Sequence, residues 1–293
     1  MAIKHVTIAA ALLAILLAGC AAHNTTSTQE KTILVTFYPL LDITKELAGP
    51  DMTVETLIPP GVEAHEYEPK VSDMRKIDNA FIFMRIGLEW APMEERIMQD
   101  SGVPSVVVSE NITLLHADAS AGGAIDPHIW LSPKEMMIVA RNIANGLITA
   151  DPAHANTYQD NLKAVESKLQ ALDDTYRTGL SSCAKDTIIV SHLAFSYVAH
   201  DYGFGQVGLA GLNPAQDIDP GTLGKLVDLA HQKDIHYVLY EQLVDPRISQ
   251  TLATEVGAKA LQINHIDVQK QGEDYYSQMQ ENLQTLRTAL ECQ

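Results

Sequence analysis

The feature that most constrains this chain is one long stretch without a turn-forming residue, set between two series of short β-rich runs. From Ala153 to Thr178 there is no Gly or Pro, and apolar residues recur at helical spacing as Leu162, Val165, Leu169, Leu172 and Tyr176. Asp151 and Pro152 in front of it read as an N-cap and a first helical residue. A helix of about 27 residues would extend ~40 Å at about 1.5 Å per residue, long enough to lie along two lobes. On its N-terminal side the strand patterns are Thr32–Phe37, Thr53–Ile58, Ala80–Arg85 and Ser105–Val108. On its C-terminal side they are Thr187–Ser191, Gln206–Leu209, His236–Tyr240 and Lys259–Ile263. Helical patterns separate them, among them Leu40–Ala48, Ser72–Asn79, Pro133–Thr149, Ala194–Tyr202, Thr222–Lys233, Pro246–Val256 and Tyr275–Glu291. Strands alternating with helices imply parallel sheets. The expected fold class is therefore α/β: two lobes, each a parallel four-stranded sheet flanked by helices, joined by one long rigid helix. The expected boundaries are 31–151 for the first lobe, 152–180 for the linking helix and 181–293 for the second lobe.

The first 20 residues, MAIKHVTIAAALLAILLAGC, set the compartment. A lysine precedes an apolar run too short to span a bilayer and right for a signal-peptide core. Small residues before Cys20 resemble a lipobox, so residues 1–19 are expected to be removed and Cys20 lipidated. Residues 20–30 then form a polar tether. This places the mature chain outside the cytoplasm, lipid-anchored to a membrane, with no nucleic-acid partner and as a monomer. Composition agrees on the second point: Lys+Arg of 20 against Asp+Glu of 37 leaves no basic face for phosphates. In an oxidising compartment the two remaining cysteines, Cys183 and Cys292, are expected to pair, with two buried thiols as the alternative.

Ligands of open α/β sheets bind beyond the carboxyl ends of strands, which makes the polar residues there the ones of interest. His65 follows the second strand pattern in IPPGVEAHEYEP, and His128 lies in the loop DPHIWLSP. His192 directly follows Thr187–Ser191, Glu241 follows His236–Tyr240, and Asn264 and His265 follow Lys259–Ile263. Three loop histidines with a carboxylate or amide make a nitrogen/oxygen set for a divalent transition metal. No local motif such as HExxH is present, and no nucleophile or acid/base constellation stands out beside the histidines. The chain is expected not to be an enzyme.

The blocks GVEAHEYEPKVSD, DPHIWLSP, IIVSHLAFSYVAHDYGF and GEDYYSQMQENLQTLRTAL together resemble the metal-receptor branch of ABC-importer solute-binding proteins, the ZnuA/TroA-like zinc-uptake receptors. The resemblance runs from VTFYPLLDITKELAG onward. It implies two α/β lobes with a metal held between them, delivery of that metal to a membrane permease, and His65, His128 and His192 as ligands. Histidine at the third position favours Zn²⁺, whereas glutamate there marks many manganese receptors; a manganese or iron(II) receptor is the alternative within the class. A zinc-dependent hydrolase and an adhesion lipoprotein are the alternatives outside it. The family commonly has an aspartate after the last strand, where this chain has Asn264. Glu241, Asn264, His265, Asp267 and water all stand as the fourth ligand. The His/Asp-rich insertion of many zinc receptors is reduced to His116 and Asp118. Neutral imidazoles bind the ion, so affinity is expected to fall below about pH 6, with release through movement of the His65 and His128 loops.

Overall fold

The computed structural model describes residues 31–117, 123–216, 218, 220–243, 245–267, 270 and 272–293. The expected signal peptide, Cys20 and the tether lie outside the described residues, as does Asp118. The first sheet contains β1 (Thr32–Val35), β2 (Thr53–Thr56), β3 (Ile82–Arg85) and β4 (Ser105–Val107) in the order β2-β1-β3-β4. The second contains β5 (Thr187–Val190), β6 (Gly205–Gly208), β7 (Tyr237–Glu241) and β8 (Lys259–Ile263) in the order β6-β5-β7-β8. All pairings are parallel, so each connection must cross over a face of its sheet. The crossovers are α1 (Tyr38–Ala48), α2 (Val71–Asn79) and α3 (Ala91–Met98) in the first lobe. In the second they are α6 (Ser196–Tyr202), α7 (Pro220–Lys233) and α8 (Arg247–Glu255). The two sheets thus repeat one topology, with β1 and β3, and β5 and β7, flanking the point where strand order reverses.

Between the sheets run α4 (Pro133–Ala150) and α5 (Ala155–Gly179), and the chain closes with α9 (Tyr275–Ala289). The linking helix begins three residues later than the sequence suggests. Pro152–His154 form a separate 3-10 turn. The Asp151 carboxylate accepts from Tyr158 Oη at 3.1 Å and faces His154 Nδ1 at 2.8 Å and Lys31 Nζ at 3.1 Å, so it fixes a tight turn instead of capping the helix proper. Val165, Leu169, Leu172 and Tyr176 are buried. Asn161 Nδ2 donates to Leu47 O of α1 at 3.0 Å, and Tyr176 Oη donates to Met279 O of α9 at 2.6 Å. The helix is therefore bonded to both the first lobe and the C-terminal helix. Gly146 lets α4 lie directly on β4, since a Cβ there would sit 2.7 Å from Val106 Cγ2.

The main core takes in both faces of the first sheet, α5, α9 and one face of the second sheet. A smaller cluster of Ile189, Leu209, Leu226, Ala230, Ile235, Val238, Leu252 and Ala253 lies under α7 and α8. A disulfide joins Cys183 and Cys292 and ties the end of the chain to the entry of the second lobe.

Candidate metal centre

His65 sits in a 3-10 turn, Ala64–Glu66, that Glu63 caps by accepting the His65 N–H at 2.9 Å. A second turn, Leu88–Trp90, lies against it, with Trp90 Nε1 donating to Ala64 O at 3.0 Å. This pairing sets Glu89 against His65 Nδ1. Every one of these contacts comes from the first lobe.

His128 precedes the turn Ile129–Leu131 and is fully buried. Asp126 Oδ1 accepts from the His128 backbone N–H at 2.8 Å and lies 2.8 Å from its Nδ1. Groups of the second half of the chain hold this loop: Tyr197 Oη donates to Asp126 O at 2.9 Å, Tyr275 Oη to Trp130 O at 2.7 Å, and Trp130 Nε1 to His265 O at 2.8 Å.

In the second lobe Ser191 and His192 immediately follow β5, and Glu241 ends the neighbouring β7. Glu241 Oε2 lies 2.8 Å from His192 Nδ1, and Ser191 Oγ donates to Glu241 Oε1. His265 is buried with its Nε2 3.4 Å from Glu241 Oε1 and without a hydrogen-bond partner.

The structure brings His65, His128 and His192 together. His128 Nε2 lies 3.2 Å from His65 Nε2 and 3.1 Å from His192 Nε2. His128 and His192 each have Nδ1 bonded to a carboxylate, which sets the tautomer with the proton on Nδ1 and the Nε2 lone pair inward, and Glu89 lies against His65 Nδ1. Nitrogens on a tetrahedral zinc at about 2.0–2.1 Å stand ~3.3 Å from one another, close to these separations. Trp90 and Trp130 wall the group, with ring centroids 5.3 Å from His65 and 5.1 Å from His128.

The electrostatics of the group suit a divalent cation. Burial drives His128, His192 and His265 well below the usual histidine range, so all three stay neutral. Burial also lowers His65, but the hydrogen bond and charge of Glu89, with Glu63, outweigh it and leave the pKa raised. Burial raises Glu241 and Glu63. Asp267 is pushed up to about 7 by burial and by Glu63, and Asp126 to about 6 by burial. Neutral imidazoles facing crowded, reluctantly ionised carboxylates are what a divalent cation relieves.

Asn264 stands apart from this group, and its place has a structural reason. Its Nδ2 donates to Gln278 Oε1 at 2.7 Å and its Oδ1 accepts from Ile266 N at 2.7 Å. Its backbone pairs with the Asn282 side chain at 2.6 and 2.8 Å. Tyr38 belongs to the same buried network, accepting from Gln278 Nε2 at 2.9 Å, and Tyr67 donates to Asp73 at 2.7 Å. His154, His200 and His236 are exposed and pair with Asp151, Asp201 and Glu291, and His116 Nδ1 lies 3.2 Å from Gly123 O. The carboxylate partners of His65 and His128, Glu89 and Asp126, and the Ser191 hydroxyl were not singled out from sequence. Asp126 had a readable signal in the Asp-Pro-His spacing, whereas Glu89 had none.

A family model described as "Zinc-uptake complex component A periplasmic" matches residues 33–289. The high-affinity zinc uptake system protein ZnuA of Bacillus subtilis is 32% identical over 277 residues, 88% of this chain and 87% of its own length. The zinc-binding lipoprotein AdcA of Streptococcus pneumoniae is 31% identical over 297 residues, 95% of this chain but only 59% of the longer relative. The crystal structure of AdcA's Zn(II)-bound ZnuA-like domain matches with a TM-score of 0.76, covering 89% of this chain and 99% of that one. A laminin-binding protein of Streptococcus agalactiae, described as having adhesin and metal transporting activity, matches at 28% identity and a TM-score of 0.81, over 89% of this chain and 99% of that one.

Proposed function

Since the chain belongs to the family of zinc-uptake complex component A proteins, we infer that it is an extracytoplasmic receptor that binds Zn²⁺ tightly and delivers it to an ABC-importer permease. The observation that carries this reading is the meeting of three Nε2 atoms at 3.1 and 3.2 Å, each ring backed by a carboxylate. His65, His128 and His192 are the nitrogen ligands. Imidazole suits Zn²⁺ better than Mn²⁺, so the set favours zinc over manganese.

The fourth ligand in this proposal is Asp267. Both oxygens of Glu241 are engaged by His192 and Ser191, and the Asn264 amide is closed within its network. The Asp267 carboxyl feels both Glu63 and His65, and a zinc ion is the charge that ionises it fully at neutral pH. Four protein ligands leave no open position for a substrate, which makes this a binder and not a catalyst.

Unloading falls on His65. Among the described residues the hydrogen bonds that hold its turn come from the first lobe, whereas the His128 loop is bonded to Tyr197, Tyr275 and His265 across the cleft. The expectation that both loops move is thus narrowed to one. Residues 1–19 as a removed signal, Cys20 as the lipidated anchor and a monomeric mature chain remain part of the proposal. No helix among the described residues is long and apolar enough to cross a membrane.

The test is a competition titration of the metal-free mature chain with Zn²⁺ and Mn²⁺. The proposal expects zinc to bind one to one and manganese to leave it undisplaced. Displacement by equimolar manganese would overturn the zinc assignment.

A further inference from the structure

Glu241 and His265 are not needed as ligands by the three-histidine centre, yet they face each other in a way the fold alone does not require. His265 Nε2 is buried, has no hydrogen-bond partner and lies 3.4 Å from Glu241 Oε1. That separation is close to the ~3.3 Å edge of a tetrahedral zinc site and too long for a good hydrogen bond. The Ser191 hydroxyl lies on the same carboxylate oxygen and adds a third potential donor. Ligand atoms of His192, Glu241 and His265 all fall within 4.8 Å of one another. This second group lies at the Nδ1 edge of His192, the edge opposite the Nε2 that meets His128.

A cleft with Glu63, Glu66, Gln216 and Asp245 in its lining also has Ser191, the residue whose hydroxyl bonds Glu241, in its wall.

We propose that Glu241 and His265, with the Ser191 hydroxyl, form a second seat for a borderline divalent cation, which the ion occupies in passage to or from the three-histidine centre. The two seats lie on different edges of the His192 ring, and two dications this close repel strongly, so they are filled in alternation. The mixed oxygen and nitrogen set holds the ion more weakly than three imidazoles do. Glu241 turns from orienting His192 to ligating the ion, and Ser191 keeps the carboxylate in place while it does so. The proposal rests on the zinc-receptor reading only for the identity of the ion.

The experiment disables the first seat and asks what remains. A full-length mature chain carrying His65→Ala and His128→Ala is titrated with Zn²⁺ alone by calorimetry, after a metal-free melt has shown it folded. One equivalent should remain, bound at least a hundredfold more weakly than in the parent. Adding His265→Ala should weaken it by a further tenfold or more. His265→Asn serves as the second variant should the alanine chain not fold, and it too should lose the residual zinc. Anomalous diffraction from the two-histidine variant should place zinc between Glu241 and His265. Residual binding indifferent to both His265 variants, or zinc found only at surface groups such as His236 with Asp234 and Glu291, would overturn the proposal. Should the parent fail to bind zinc tightly while the residual site still depends on His265, the receptor reading falls and this inference stands.

Discussion

The two sheets share a strand order, and each carries a buried glutamate at its switch point, but the two carboxylates face different partners. In the first lobe Glu94, from α3, accepts from Thr36 Oγ1, from Ile86 N at 3.1 Å and from Gly87 N at 3.0 Å. In the second lobe Glu241 accepts from Ser191 Oγ and faces His192 Nδ1 and His265 Nε2. Thr36 and Ser191 hold matching places, each the first residue after the strand beside the reversal. Where backbone N–H groups complete the carboxylate's shell, the crevice is closed and structural. Where imidazoles take their place, the same crevice presents nitrogen lone pairs to an ion. One topology thus gives a locked end and a binding end, and the difference lies in the residue next to the hydroxyl: Phe37 after Thr36 in one lobe, His192 after Ser191 in the other.

The largest expected effect breaks the binding end outright. Structural zinc sites with four ligands are worth about 10–16 kcal/mol, so each ligand carries ~3 kcal/mol. His192→Ala should therefore weaken zinc by a hundredfold or more in a competition titration, with the metal-free protein still folded. Next comes the locked end. Glu94→Gln places an amide against backbone donors and should cost ~1–3 kcal/mol of stability in urea unfolding. Zinc affinity should stay within a few-fold; a hundredfold loss would mean the two ends are not separable.

Glu241→Gln sharpens the comparison from the other side. It removes the acceptor that orients His192, a change that costs ten- to a hundredfold in metal affinity at comparable sites. The smallest effect is a shift in pH. Burial holds His128 and His192 well below the ordinary histidine range, so near neutrality the groups that exchange a proton for zinc are His65 and Asp267, the latter raised to about 7. In the metal-free protein a raised His65 pKa gives stability below its unfolded value of about 6.5, lost as pH rises through the folded value. Zinc runs the opposite way: affinity climbs with pH by about tenfold per unit for each of the two groups still protonated, then levels above both folded pKa values. Glu89 helps to raise the His65 pKa, so Glu89→Gln should move its break to lower pH in titrations between pH 5 and 8. A slope of more than two protons in that range, or none, would contradict the proposed ligand set.

Much of this was legible in the chain. The alternation of strand and helix patterns gave both sheets because buried parallel strands such as TILV and TIIV are short apolar runs bounded by loops. Helix α3 was not among the patterns, since its eight residues carry a weak apolar stripe, Met93 and Ile97, on a charged background. His65, His128 and His192 were legible because each stands just past a strand or in a tight loop. Asn264, one of the alternatives for the fourth ligand, stands just past a strand in the same way, but its side chain is closed within a hydrogen-bond network. The groups that hold it away, Gln278 and Asn282, lie on α9 and are invisible to any reading of the loop itself. Glu89 escaped notice because its pairing with His65 depends on two turns packing together, through Trp90 and Ala64.

The most direct measurement is the X-ray absorption edge of zinc in the protein loaded with one equivalent. The account predicts three imidazole nitrogens and one carboxylate oxygen at about 2.0–2.1 Å, with the imidazole scattering reduced in His192→Ala. A shell of six oxygens, or imidazole scattering unchanged by that substitution, would contradict it.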